Sequence, residues 1–252
     1  MLIPRVMPCL LLKEGALVKT IKFDQPGYIG DPINAVRIYN EKEVDELIFL
    51  DITATVENRQ PPLRVLEEIA SECFMPVAYG GGVRDLATME TIFKLGIEKI
   101  ALNSYAVENP TFVRAAADKF GSQSIVVSID ARKNGARYEV CARRGKLATG
   151  IEPARWAAQI AEYGAGEILL TAIDRDGTQA GYDLELIQQV TRAVNIPVIA
   201  SGGAGKVADF GAAVKQGGAS ACAAGSLVVY FGRNRAVLIN FPARAELEKI
   251  FG

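Results

Sequence analysis

Two short glycine-rich turns follow apolar runs: Gly80-Gly81-Gly82 after Val77-Ala78-Tyr79, and Ser201-Gly202-Gly203 after Val198-Ile199-Ala200. Glycine lets backbone N–H groups approach an anion closely, and a helix starting just beyond adds its positive dipole end. Asn103-Ser104 and Gly225-Ser226 follow two further apolar runs and offer more donors. Gly81, Gly82, Asn103, Ser104, Gly202, Gly203, Gly225 and Ser226 thus read as two phosphate sites, suited to a small molecule with a phosphate at each end. Tight-turn glycine needed only for packing is the plainer alternative; two matched copies favour phosphate.

Carboxylates end other apolar runs. Asp51, Asp130 and, in Ile173-Asp174-Arg175-Asp176-Gly177-Thr178, Asp174 and Asp176 are candidates for general acid–base work. Asp174 and Arg175 also suit a solvated turn pair. Asp130 is the acid expected to do chemistry, because it directly follows Ile125-Val126-Val127-Ser128-Ile129. Lys19, Thr171 and Ser201 join Asp51 and Asp176 as candidate substrate contacts, although Lys19 could equally be solvated. The chain has no histidine, which excludes His-based triads and His-ligated metal sites and leaves proton transfer to Asp, Glu, Lys, Tyr or Cys. No metal site and no cofactor is expected.

These residues need a scaffold that brings strand ends together. Eight short apolar runs qualify as strands buried on both faces: Arg5–Leu12, Glu46–Asp51, Met75–Tyr79, Lys99–Leu102, Ser124–Asp130, Glu167–Thr171, Pro197–Ala200 and Ala221–Ala224. Amphipathic stretches alternate with them, among them Pro61–Cys73, Leu86–Leu95, Thr111–Lys119, Pro153–Tyr163, Leu184–Val194 and Val207–Gln216. Asn109-Pro110 opens one helix, and Gly96, Gly121 and Gly164 close others. Eight such units in 252 residues predict one closed α/β barrel of the (β/α)₈ kind, with no linker dividing it. The glycine turns repeat 121 residues apart, Gly96 is matched by Gly217, and Asn103-Ser104 falls opposite Ala224-Gly225. This predicts two duplicated half-barrels, about 1–120 and 121–252. The working face is then the C-terminal ends of the strands.

Arg5, Glu46, Lys99 and Glu167 open the first, second, fourth and sixth strands, so they would ring the opposite end. A stabilising salt-bridge layer and a gate both suit such a ring. Bulk properties narrow the partners. A net charge of −1 argues against nucleic acid or an anionic membrane. The apolar start, Met1–Leu12, is short and interrupted by Arg5, and no run approaches the length of a membrane span, so a cytoplasmic protein without a signal peptide is expected. Cys9, Cys73, Cys141 and Cys222 show no paired spacing and read as reduced core thiols.

A resemblance now covers essentially the whole chain. Phe49-Leu50-Asp51-Ile52-Thr53, Gly80-Gly81-Gly82-Val83, Ala106-Val107-Glu108-Asn109-Pro110, Gly121-Ser122-Gln123, Gly164 to Thr171, Asp174 to Thr178 and Ile199 to Gly205 resemble the cyclase subunit of imidazole glycerol phosphate synthase. The resemblance implies a barrel that docks a glutaminase (glutamine amidotransferase) on its bottom face and passes ammonia to a bisphosphorylated substrate at its top. It implies that Arg5, Glu46, Lys99 and Glu167 form an ammonia gate. It also implies an Asp soon after a Cys on the first strand, partnering the Asp of the fifth. Here Leu11 follows Cys9 instead, so Asp130 stands without its partner acid. Pro8 to Lys13, Gly30 to Arg37 and the tail Asn234 to Pro242 look like a branch serving acetamidino modification of sugars in bacterial surface polysaccharide (O-antigen) biosynthesis. That branch implies an ammonia-delivering barrel with a phosphorylated small-molecule ligand and an amidinating sugar ligase as further partner. A working cyclase of histidine biosynthesis and a non-catalytic scaffold are the alternatives.

Overall fold

The computed structural model describes residues 3–232 and 234–252, so the first two residues of the apolar N-terminal run lie outside the described residues. Eight parallel strands close on themselves: β1 (Arg5–Lys13), β2 (Leu47–Asp51), β3 (Val77–Gly80), β4 (Lys99–Leu102), β5 (Ile125–Asn134), β6 (Glu167–Ala172), β7 (Val198–Ser201) and β8 (Ala221–Ala224). Each pairs with its neighbours in order, and β8 returns to β1 through the register Arg5↔Ala221 and Pro8↔Ala224. A (β/α)₈ barrel is the result, as the alternating pattern required.

Eight helices surround it: α1 (Pro32–Glu41), α2 (Leu63–Glu72), α3 (Leu86–Lys94), α4 (Thr111–Phe120), α5 (Pro153–Glu162), α6 (Leu184–Thr191), α7 (Ala208–Lys215) and α8 (Arg244–Phe251). Their starts are chemically marked. Asp31, Asp85 and Asp183 accept hydrogen bonds from the backbone N–H groups of Asn34, Thr88 and Leu186 at 2.9, 2.7 and 3.1 Å, and Pro32 and Pro153 occupy first-turn positions. Among the described residues no helix is long and apolar enough to cross a membrane. Three of the free cysteines, Cys9, Cys141 and Cys222, are buried, while Cys73 is only half-buried and therefore not a core thiol.

Side chains alternate along a strand, and that period sorts each strand into an outer and an inner row. Outward residues such as Leu10, Phe49, Tyr79, Ile129, Leu170 and Ala200 pack in one core with the helices. Inward residues form a second, smaller core of Met7, Cys9, Ile48, Ala78, Ala101, Val126, Leu169, Ile199, Ala221 and Ala223. Read along β1, the inner row runs Arg5, Met7, Cys9, Leu11; along β6 it runs Glu167, Leu169, Thr171. Both lead from charge through apolar side chains to the cavity at the strand ends.

The sequence pattern passed over three features. After β1 the chain forms a hairpin, Ala16–Ile21 with Asp24–Gly30, where a plain loop was expected. Past Asp130, β5 continues into a second hairpin with Arg137–Ala142 and Leu147–Ala148. Short helices Ser104–Glu108 and Ser226–Val229 follow β4 and β8. The correspondence between halves also shifts by one residue. Gly218 (φ +78°) rather than Gly217 matches the left-handed Gly96 (φ +101°). Likewise Asn103 (φ −124°, ψ −89°) matches the helix-capping Gly225 (φ −107°, ψ −79°), so the spacing becomes 122 beyond β7.

Candidate active site at the mouth of the barrel

All the candidate phosphate-site and substrate-contact residues line one cavity at the C-terminal ends of the strands, together with Asp130, Cys9 and Leu11. Asp174 and Arg175 stand outside it, and they do not pair with each other. Asp174 accepts from the Lys133 backbone N–H at 2.8 Å, and Arg175 Nη1 donates to the Ala180 carbonyl at 3.4 Å.

The glycines are needed where they stand. Gly81 has φ +125°, and a Cβ there would lie 2.6 Å from the Asp51 carbonyl oxygen. Gly203 has φ +116°, and a Cβ there would overlap the Gly181 carbonyl. Backbone therefore packs against backbone at both turns, and the amides of each turn lie on the same rim as the start of a short helix. Beside Gly82 the short helix begins at Ser104; beside Gly203 it begins at Ser226. The Asn103 side chain is already engaged. Its amide donates to the Ser128 carbonyl and to Asp130 Oδ2, both at 3.0 Å, so it holds the acid.

The acids differ sharply in surroundings. One oxygen of Asp51 accepts from the Thr53 and Ala54 N–H groups at 3.0 and 2.9 Å and from the Thr53 hydroxyl at 3.2 Å, which spends it on shaping its own turn. Asp176 accepts from Lys19 Nζ at 2.9 Å and from the Thr20 hydroxyl at 3.1 Å. Lys19 is thus a buried partner on a hairpin strand, neither solvated nor free. That contact, with the Lys22 N–H donating to the Asp176 carbonyl at 2.9 Å, fastens the first hairpin over the mouth.

Asp130 is enclosed by the cavity walls, with part of its surface facing the open space. Burial pushes its carboxyl up to about 7; the nearby Asp176 charge adds to the rise, and a hydrogen bond from Ser128 works against it. Near neutral pH this group can therefore take or give a proton. Between the ordinary carboxylate value of about 4 and 7, the folded chain holds more proton here than the unfolded chain. The contribution of Asp130 to stability is accordingly greatest at low pH and is lost as pH rises through about 7. Removing the like charge reverses part of the shift: in Asp176→Asn, NMR titration is expected to place the Asp130 midpoint below the wild-type value, whereas an unchanged midpoint would leave burial as the whole cause. The Cys9 thiol is pushed up to about 12, chiefly by burial, so it stays protonated and is no nucleophile.

At the opposite end the four charges close a ring. Arg5 Nη1 and Nη2 donate to Glu46 Oε2 and Glu167 Oε1, each at 2.5 Å, and Lys99 Nζ reaches Glu46 Oε2 at 3.0 Å and Glu167 Oε2 at 3.1 Å. The Glu46 side chain is 3% exposed and that of Arg5 32%, so the ring is dry on one side and wet on the other. Asp45 and Glu98 stand beside it and accept from the N–H groups of Val6 and Val77 at 3.0 and 2.7 Å.

A parallel (β/α)₈ barrel with paired glycine turns and buried acids at one mouth defines the class: an α/β barrel with a polar cavity at its strand ends. The chain belongs to the family described as histidine biosynthesis protein, whose profile matches residues 5–234. It is 51% identical over 239 residues to a Pseudomonas aeruginosa protein provisionally named as an imidazole glycerol phosphate synthase subunit, covering 94% of this chain and 95% of that one. It is 46% identical over 231 residues to imidazole glycerol phosphate synthase subunit HisF of Alkaliphilus metalliredigens (91% and 92% covered) and 47% identical over 234 residues to that of Caulobacter vibrioides (92% and 90%).

Proposed function

We propose that this chain is the ammonia-using synthase subunit of a glutamine amidotransferase complex of the imidazole glycerol phosphate synthase type. The observation that carries the reading is the single inner row leading from the charged ring, past Met7, Ala101, Val126 and Leu169, to Asp130 and the two glycine turns. A glutaminase docks over the ring, ammonia enters between its members, and the apolar packing between ring and mouth admits neutral ammonia more readily than ions. At the mouth the Gly81–Gly82 and Gly202–Gly203 turns each hold a phosphate through backbone N–H groups, with the helix starts at Ser104 and Ser226 adding favourable dipoles. Lys19 neutralises Asp176, and Asn103 aims Asp130 at the substrate between the phosphates. The names of the relatives favour this synthase reading, and the two halves read as a duplication within one domain. Crystals soaked in inorganic phosphate are expected to hold an anion at Gly82–Ser104 and another at Gly203–Ser226; two empty turns at high phosphate would overturn the reading.

Leu11 favours a second reading. With no acid opposite Asp130, one of the two proton transfers of ring closure lacks a group, which suits a barrel that delivers ammonia onward to an amidinating sugar ligase in acetamidino-sugar synthesis. Glutamine-dependent ammonia release at the mouth without consumption of the bisphosphorylated aminoimidazole precursor would favour that delivery role over synthesis.

A further inference from the structure

Three consecutive residues in the turn that joins Arg137–Ala142 to Leu147–Ala148, Arg143, Arg144 and Gly145, have left-handed backbone, with φ of +51°, +60° and +72°. Two arginines in that region are strained, and strain of this kind persists where the surroundings impose it. The surroundings here are the first phosphate turn. The Arg143 N–H donates to the Ser104 hydroxyl at 2.9 Å, and its guanidinium holds Glu108 Oε1 at 2.8 and 3.2 Å. Glu108 is thereby taken. Arg144, next along, lines the cavity, and its Nε is shut off from water with no hydrogen-bond partner among the described residues.

Such an orphaned buried donor costs free energy until an acceptor arrives. The other cations lining the cavity are already engaged: Lys19 with Asp176, and Arg84 Nη2 with the Asn58 side-chain oxygen at 2.9 Å and the Thr55 carbonyl at 3.3 Å. Beside the second short helix a guanidinium is held differently. Arg235 Nη2 donates to the Ser226 hydroxyl at 3.3 Å and to the Gly177 carbonyl at 3.2 Å, and its guanidinium lies 4.7 Å from the Tyr230 ring centre, so that guanidinium is spent on structure.

We infer that Arg144 is a specificity-determining residue that binds a phosphoryl oxygen of the ligand group seated between Gly82 and Ser104, so that the two phosphate sites are unequal. A guanidinium fork matches phosphoryl geometry, and its charge selects a doubly ionised group at this end. The inference rests on the reading of the two turns as phosphate sites. Calorimetric titration of the whole protein with inorganic phosphate, paired with crystals at graded phosphate concentration, tests both. Wild type is expected to fill the Ser104 side first. Arg144→Gln should weaken that side by roughly tenfold or more, the scale of a lost charge-assisted hydrogen bond, and leave the Ser226 side unchanged. Arg144→Lys should recover part of the loss and guards against a misfolded glutamine variant. Phosphate at both turns with Arg144→Gln and Arg144→Lys indistinguishable from wild type overturns this inference alone. Phosphate at neither turn of the wild type overturns the phosphate reading as well.

Discussion

Leu11→Asp is expected to raise ammonia-dependent ring closure of the bisphosphorylated aminoimidazole precursor by about 10²- to 10⁴-fold, the usual scale of one general acid or base. Leu11 points into the same cavity as Asp130 from β1, and the two strands face each other across the barrel, four apart in its order. Its registry neighbours are Leu50 on β2 and Val18 on the first hairpin, so the new carboxyl would enter a partly apolar corner. It pays for that by desolvation, which raises its own proton affinity, and by repulsion, which pushes Asp130 above about 7. The variant should therefore reach its best rate at a higher pH than the wild type. The measurement is steady-state cyclisation with ammonium salts across pH 6 to 9, as an assay range of about three units brackets both groups. A wild type whose rate the variant does not exceed would mean that another residue already moves the second proton.

Lys99→Ala separates the two meanings of the charged ring. Stripping the only partner from a buried ion costs about 3–5 kcal/mol. Lys99 is not an only partner, because Arg5 still holds both Glu46 and Glu167 after its loss. The barrel should thus melt only slightly earlier. Passage should change far more, since Lys99 bridges the two carboxylates that the loss leaves on Arg5 alone. With a glutaminase bound, glutamine-driven turnover is expected to change severalfold against turnover on free ammonia, which reaches the mouth from solvent. A barrel that melts much earlier, with both activities lost in equal proportion, would assign the ring to stability alone.

The eight strands were legible because each is an apolar run buried on both sides, and the ring was legible because charges opening such runs are conspicuous. The hairpins escaped notice although their turns are marked. Lys13 pairs with Ala16 across Glu14-Gly15, and Asn134 pairs with Arg137 across Gly135-Ala136; the glycine of each turn has positive φ, the chemistry of tight hairpins. Their strands carry Lys19, Thr20, Arg132 and Lys133 among apolar residues, so hydropathy alone hides them. Whether Lys19 contacts a ligand or solvent stayed open in the sequence because its partner, Asp176, is 157 positions away. The hold of Asn103 on Asp130 was hidden for the same reason: the bond spans 27 positions and no local pattern reports it. Arg144 gave no periodic signal at all. Local chemistry could place the backbone of this site, but not the long-range pairs that set the charge of its acids.

The near-identity of the two glycine turns has a cost for any ligand with similar ends. A mouth with twofold likeness would accept such a molecule in either direction, and only one direction puts the reacting atoms beside Asp130. The reversed complex would act as a competitive dead end, halving the useful population when both directions are equally stable and slowing turnover by occupying the mouth. Part of what distinguishes the two halves lies outside the repeat: the first hairpin clasping Asp176 on one side, the turn after Ala142 over Ser104 on the other. These appendages add to the polarity that Asp130 and Asn103 already give the mouth, so each favours one heading of the ligand over the other.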